Sequence, residues 1–309
     1  MKATALCHGA ATIITGFATG KGGAYGICLE NRTTVELNDS GKVTSQVNGR
    51  RNVGAKLAES AVKRTLKRYK ARFKGASVTT ESDIPVAAGL KSSSVAANAI
   101  VLATAGAIAK SQGGIESVRL SKIRSDQRLI INGEEVSHEE LINIGIDAAF
   151  DAKVTVTGAL DDASAAYYGG YSITDNLGRR IVRRGGMEET LNVVIFLPKG
   201  RISSSKIKPA QVRMLAKEVD LIWRQALEGR IYQAITLNGL IHSTAFKQST
   251  EPMLSALEAG AIAAGLSGTG PAVVALTRDD GADIVKAWRK LKGQIIRTKV
   301  SNERARILQ

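Results

Sequence analysis

Cysteine, histidine, proline and aromatic residues are all scarce in this 309-residue chain. Two cysteines, Cys7 and Cys28, cannot build a disulfide framework or a cysteine-rich zinc site, and the three scattered histidines, His8, His138 and His242, have no metal-binding spacing. Aromatic residues amount to 4%, which argues against platforms that stack single-stranded bases. Five prolines exclude a Pro-rich linker protein. No stretch reads as the roughly 18 to 20 uncharged apolar residues of a membrane span, and Met1 to Thr15 lacks a signal-peptide cleavage pattern. These absences point to a soluble, cytoplasmic protein with no membrane partner.

What is present narrows the reading further. Hydrophobic residues reach 44%, enough for buried cores, and the length suits one large or two medium domains. The formal charge is +15, from 43 Lys and Arg against 28 Asp and Glu. Such a surface attracts polyanions, but no zinc-finger, basic-zipper or RNA-motif signature accompanies it. The densest basic run, Lys63 to Lys74, carries Val62, Leu66, Tyr69 and Phe73 at helical spacing, so its charges fall on the solvated face of an amphipathic helix. A positive field that gathers small anionic substrates remains open beside nucleic-acid binding.

Thirty-one glycines cluster at a few places. The first cluster, Gly16 to Gly26, follows the apolar run Ala10 to Ile14 and reads as a loop before strand-like segments at Ile27 to Leu29 and Thr33 to Leu37. A helix is expected over Gly54 to Phe73, a strand over Ala76 to Thr80, and a buried, uncharged helix over Ser92 to Ala109. Asn132-Gly133 between apolar flanks signals a hairpin. Ser137 and Glu140 have the spacing of a capping box for a helix through about Phe150. Val154 to Val156 reads as a short strand leading into a second Gly-containing loop, Thr157 to Gly170. A domain boundary is expected near Gly185 to Met187, dividing the chain into 1–186 and 187–309. Beyond it the pattern predicts a strand at Asn192 to Leu197, helices near Pro209 to Leu227, Ile231 to His242 and Pro252 to Ala263, a strand at Ala272 to Leu276 and a helix over Ala282 to Leu291.

The segment Pro85 to Ala97, PVAAGLKSSSVAA, carries the most chemistry. Glycine followed by serines, where a loop becomes a helix, gathers free N–H groups, hydroxyls and the positive end of a helix dipole. That is a phosphate cradle, to which Lys91 adds a mobile charge and a serine hydroxyl could add a Mg²⁺ ligand. Other phosphate and hydrolase motifs fail. Gly16 to Gly22 has three residues rather than four between its glycines and no Ser or Thr after Lys21, so it is no Walker A loop. Gly20 to Tyr25 lacks the last glycine of a dinucleotide fingerprint, and Thr269 stands where a hydrolase elbow needs glycine. Ser203 to Lys206 matches only a very short SxxK pattern.

PVAAGLKSSSVAA is similar to the P-x-x-x-G-L-x-S-S-A phosphate loop of the GHMP kinases, the superfamily of galactokinase, homoserine kinase, mevalonate kinase and phosphomevalonate kinase. Gly265 to Pro271, GLSGTGP, resembles that family's third motif, a Gly-rich turn between helix and strand behind the phosphate loop. Thr157 to Gly170, TGALDDASAAYYGG, resembles the segment that holds the catalytic aspartate. The three occur in the family's order across nearly the whole chain. Within the family, this segment and the opening GAATIITGFATGKGGAYGICLE most resemble the archaeal-type shikimate kinases.

The resemblance implies an α+β architecture of two domains, a ribosomal-protein-like N-terminal domain and a ferredoxin-like C-terminal one, with ATP bound between them. It implies ATP and Mg²⁺ as cofactors and shikimate as the small-molecule substrate; homoserine, mevalonate and pantoate kinases share the scaffold and stay as alternatives, as does a non-catalytic nucleic-acid-binding protein of the same fold. Pro85, Ala88, Gly89, Leu90, Lys91, Ser92, Ser93 and Ser94, with Gly268, Thr269 and Gly270, become the ATP-binding candidates. Ser93 and Asp147 match the family's Mg²⁺ ligands, with Asp147 standing where a glutamate is usual. Asp161 parallels the family's catalytic aspartate in the Asp-Asn-Ala pattern, whereas counting back from Gly169 selects Asp162, and both are kept. Gly16, Thr19, Gly20, Lys21 and Gly22 are the substrate-side candidates, with Lys21 placed to meet a substrate carboxylate.

Overall fold

The computed structural model describes residues 1–119, 125–199 and 212–308. The Ser203 to Lys206 match and the expected start of a helix at Pro209 lie outside these residues. The chain opens with two long antiparallel strands, β1 (Lys2–Ile14) and β2 (Lys21–Asn38). β2 is long enough to be shared in series. Its first residues pair with β9 (Tyr171–Asp175), its last with β5 (Gly75–Ser82), and β1 lies along its other edge. β3 (Val43–Val47), β4 (Arg50–Arg51) and β10 (Arg180–Gly185) extend this sheet, and β15 (Arg306–Leu308) pairs with β1.

Three helices pack on the sheet, α1 (Ala55–Arg68), α2 (Ser92–Ser111) and α4 (Leu160–Tyr168), and α3 (His138–Asp151) packs against these helices. α2 lies at the centre, against β1, β2 and the other three helices. By length and composition α2 does reach the requirement for a membrane span, contrary to the expectation that no stretch would. However, 78% of its most apolar window is buried inside the protein, so it is a core helix. Small β6 (Ile115–Arg119), β7 (Ser125–Ile131) and β8 (Glu134–Glu135) follow α2. Asn132 and Gly133 form the tight β7–β8 turn with φ of 55° and 82°, the positive pair that an Asn-Gly hairpin uses.

The chain then enters a second, four-stranded sheet of order β12-β13-β11-β14, formed by β11 (Asn192–Pro198), β12 (Ala263–Leu266), β13 (Val273–Thr277) and β14 (Gly293–Lys299). Helices α5 (Ala216–Leu227), α6 (Ile231–Ala245) and α7 (Glu251–Glu258) lie between β11 and β12, and α8 (Ala282–Trp288) lies between β13 and β14. All neighbouring strands are antiparallel, the ferredoxin-like arrangement. The chain does not stay there. Val300 bridges Ile27, Ser301 N donates to the Gly26 carbonyl, and β15 closes the first sheet, so the last residues of 187–309 belong with the first sheet rather than the second.

Several segments fold differently from the pattern their sequence suggests. Gly22, Gly23 and Gly26 are not loop residues but lie inside β2; the turn itself is only 15–20. Val154 to Val156 forms no strand and Val156 is exposed, because no described strand offers it a partner. Ser137 is the N-cap of α3 but makes no side-chain cap hydrogen bond, and the reciprocal half of a capping box is absent because the Glu140 carboxylate goes to Arg68 and the Tyr69 hydroxyl. α1 ends at Arg68, so only the first part of the basic run is helical. There Lys63, Arg64 and Arg68 pair with Glu59, Asp151 and Glu140 on the surface. The helix expected to reach Ala263 stops at Glu258, where Gly260 turns the chain at φ 91° into β12.

Candidate active site

The phosphate loop runs off β5 and ends at Lys91, which caps α2 in the left-handed region at φ 65°. The first N–H groups of a helix have no intrahelical acceptor, so Ser92, Ser93 and Ser94 present donors and hydroxyls to the cavity beside them. The GLSGTGP turn backs this loop from the second sheet, connecting β12 to β13 rather than a helix to a strand. The Ser267 hydroxyl donates to the Gly89 carbonyl at 2.8 Å and accepts from Thr12 N at 3.2 Å. Gly268 N donates to Thr12 Oγ1 at 2.7 Å, and Ala272 N to the Ala88 carbonyl at 3.1 Å. At Gly89, with φ 85°, a Cβ would strike the Ser267 carbonyl. Glycine is required there by both conformation and space.

The acidic pair sits in the first turn of α4, which starts after Gly158 and Ala159 in left-handed conformation. Asp161 is 4% exposed. Its Oδ1 accepts from Asn176 Nδ2 at 2.9 Å, and its backbone N donates to Asn176 Oδ1 at 3.1 Å. A Cβ on Gly22 would collide with Asp161 Oδ2, which explains a glycine in the middle of a strand. Burial and the neighbouring Asp162 charge push the Asp161 carboxyl up to about 7, against the opposing pull of Lys91 and the Asn176 amide. Asp162 faces the phosphate loop, with Lys91 Nζ 2.9 Å from its Oδ1.

These elements enclose a cavity of about 610 Å³. It is lined by the phosphate loop, the turn at Thr15 to Phe17, the run Lys153 to Thr157, both aspartates, Asn176, Val212, Arg213, Gly268 and Thr269.

Known proteins give this arrangement a family. The model of the GHMP kinases N terminal domain matches residues 56–125, which hold the phosphate loop, and that of the GHMP kinases C terminal matches residues 229–293, which hold the GLSGTGP turn. The chain is 39% identical over 310 residues to the shikimate kinase of Methanothermobacter thermautotrophicus, covering 100% of this chain and 99% of that one. This chain belongs to the GHMP kinases. The shikimate kinase of Methanothrix thermoacetophila is 40% identical over 310 residues, covering 100% of this kinase and 97% of its relative. Among solved structures, a homoserine kinase from Cytophaga hutchinsonii superposes with a TM-score of 0.69 at 15% identity, covering 99% of this kinase and 97% of that chain. The Methanococcus jannaschii mevalonate kinase gives 0.68 at 14%, covering 96% and 98%. At those identities the likeness concerns the fold of the kinase.

Of the residues the resemblance implied for the kinase, Gly16, Gly89, Lys91, Ser92, Ser93, Ser94, Asp161, Asp162, Gly268 and Thr269 line this one cavity. Ala88 and Leu90 are buried beneath the loop, Pro85 is partly buried, and Gly270 packs against Gln248. Thr19, Gly20, Lys21 and Gly22 are not among its lining residues. Lys21 instead reaches α5, with Nζ 2.5 Å from Asp220 Oδ1 and 4.7 Å from the centre of the Trp223 ring. Asp147 also points elsewhere, pairing with Arg179 at 2.6 Å and Arg64 at 3.5 Å. Among the described residues no group of three His, Cys, Asp or Glu could hold a metal without a ligand's help.

Sequence reasoning missed Thr12, Thr15, Asn176, Lys153 and Arg213. Asn176 stands in TDNLGR, which reads as an ordinary turn, and Lys153 and Arg213 are two of 43 basic residues with nothing to single them out.

Proposed function

We propose that the protein transfers the γ-phosphate of ATP to the 3-hydroxyl of shikimate, a step toward chorismate and the aromatic amino acids. The observation that carries this reading is full-length identity of 39 to 40% to two relatives named shikimate kinase, together with a cavity that joins a phosphate loop to a buried carboxylate. Phosphoryl transfer asks a protein mainly to align the nucleophile and neutralise charge. The N-terminus of α2 and Lys91 meet the phosphates, and Asp161 accepts the proton of the attacking hydroxyl. A carboxyl held near 7 is well matched to that task at neutral pH.

Magnesium fits this cavity through the Ser93 hydroxyl, because that ion keeps several waters and binds largely through the phosphate oxygens of its nucleotide. When bound it would neutralise charge on the transferred phosphate. Asp147 has no part in this role, since it is held by two arginines outside the cavity, and the Asp162 carboxylate is engaged by Lys91.

The test is an ATP-turnover panel over small hydroxy acids. Turnover is expected with shikimate and not with homoserine, mevalonate or pantoate; consumption of ATP with one of those three in place of shikimate overturns the substrate assignment.

The substrate carboxylate is assigned to Arg213 in place of Lys21. Arg213 and Lys153 line the cavity and form no ion pair among the described residues, and a guanidinium fork matches a carboxylate's two oxygens. Arg213→Ala should raise the shikimate KM about ten- to hundredfold and leave the ATP KM nearly unchanged. Lys21→Met should lower the melting temperature by loosening α5 from β2, with little effect on shikimate KM. Steady-state kinetics showing the opposite pattern would return the carboxylate to Lys21.

A further inference from the structure

Asn176 follows β9 and is 3% exposed, yet it has no place in any of the three family motifs. All of its polar groups are engaged, and each bond leads to a different part of the site. Its Nδ2 donates to Asp161 Oδ1 at 2.9 Å. Its Oδ1 accepts from Asp161 N at 3.1 Å and from Thr174 Oγ1 at 2.7 Å. Its own backbone N donates to the Gly20 carbonyl at 2.8 Å, at the end of the turn whose other end, Thr15 and Gly16, lines the cavity. Glycine surrounds it where side chains would not fit: a Cβ on Gly16 would come 2.8 Å from Asn176 Nδ2, and one on Gly22 2.9 Å.

We propose that Asn176 is a positioning residue for Asp161. It grips the carboxylate by one oxygen and the α4 N-terminus by one N–H, and it fastens both to the turn on the substrate side. The free oxygen, Oδ2, then has one orientation, toward Gly22 and away from the amide. An amide suits this position because it donates and accepts at once; an aspartate there could accept but not donate, and would set a second charge against the first.

Asp162 of the same helix and Lys91 of the phosphate loop are the charges that face Asp161, β2 presents the uncharged Gly22, and Asp175 is turned aside to Arg180 and Gly178 N. Removing the Asn176 donor takes away a bond to the ionised form, so the carboxyl should titrate higher by about one to two pH units.

This inference rests on Asp161 as the base, and the test separates the two. Asn176→Ala and the isosteric Asn176→Asp are compared with the parent protein by the pH dependence of kcat and by ¹³C NMR titration of labelled aspartate, with the Asp161→Asn variant identifying the signal. The expected result is an acid limb and an Asp161 titration that both move up by at least about one unit. At pH 7, kcat falls about tenfold or more while the ATP KM stays within about threefold. If the carboxyl signal moves and turnover does not, Asp161 is positioned by Asn176 but is not the base. If the signal stays in folded variants, or if kcat and melting temperature fall while the ATP KM rises with them, the positioning role is wrong. Should both variants fail to fold, Thr174→Val decides, since it removes only the hydroxyl that holds Asn176 Oδ1. A shift of the same sign and smaller size supports the proposal, and an unmoved titration overturns it.

Discussion

Asp161→Asn should lower kcat by about a thousandfold with ATP binding nearly unchanged, because a positioned base contributes about 10² to 10⁴ in rate and an amide cannot accept the proton. Asp162→Asn should act differently. Asp162 holds Lys91 against the phosphate loop, so its loss should raise the ATP KM and lower kcat by a smaller factor. Single-turnover kinetics with measured ATP affinity distinguishes these patterns; the larger kcat loss falling on Asp162 would move the base one residue along α4. The folded Asp161 carboxyl is raised from 3.8 to about 7, so the base is protonated and idle below that value, and kcat should rise with pH through about 7. Stability should move the other way. Folding favours the protonated form, so this group's contribution is unchanged below about pH 4, turns increasingly unfavourable toward pH 7, and is fully unfavourable above it. Asp161→Asn should therefore melt higher than the parent at pH 8 and gain less at pH 5.

Gly89→Ala should produce the second large effect, a rise of about tenfold or more in ATP KM with a clear drop in melting temperature. The residue has φ 85°, where a side chain is strained, and its Cβ would run into the Ser267 carbonyl that backs the loop. The loop cannot retreat without breaking the Ser267 hydroxyl bond to Gly89 or the Ala272 bond to Ala88. Gly49→Ala provides the comparison, since it has φ 75° and nothing within 4 Å. It should show the backbone cost alone, about 1 to 2 kcal/mol, with ATP KM unaltered. Equal behaviour of the two variants would mean that contact with the GLSGTGP turn does not shape the phosphate site.

The parts of the fold that local chemistry dictates were legible in the sequence. An uncharged run of small residues had to be a buried helix, and it is α2; Asn132-Gly133 had to be a tight turn, and it joins β7 to β8. The phosphate loop and the GLSGTGP turn were visible because their glycines and serines stand in fixed local order. What escaped depends on partners distant in sequence. Val154 and Val156 have the branched side chains of a strand but no described neighbour to pair with, so they border the cavity instead. The glycines at 22, 23 and 26 suggested a loop, whereas they lie in a strand closely approached by Asp161, Ile173 and Ser301. Lys21 looked free to meet a ligand because Asp220, its partner, lies 199 residues away. Asn176 was hidden for the same reason, its importance resting on Asp161 and Gly20 rather than on its neighbours in the chain.

β15 carries a consequence for how the protein is made. The Thr4 to Leu6 edge of β1 pairs with Leu308 to Arg306, at opposite ends of the chain. On a ribosome, synthesis would deliver β1, β2 and the phosphate helix long before the strand that covers that edge, and the whole second sheet would emerge in between. During that interval the open edge is available to strands of other chains, and contacts so distant in sequence close slowly. Polysomes carrying chains halted before residue 300 should thus associate through this edge, and release of the last residues should end that association.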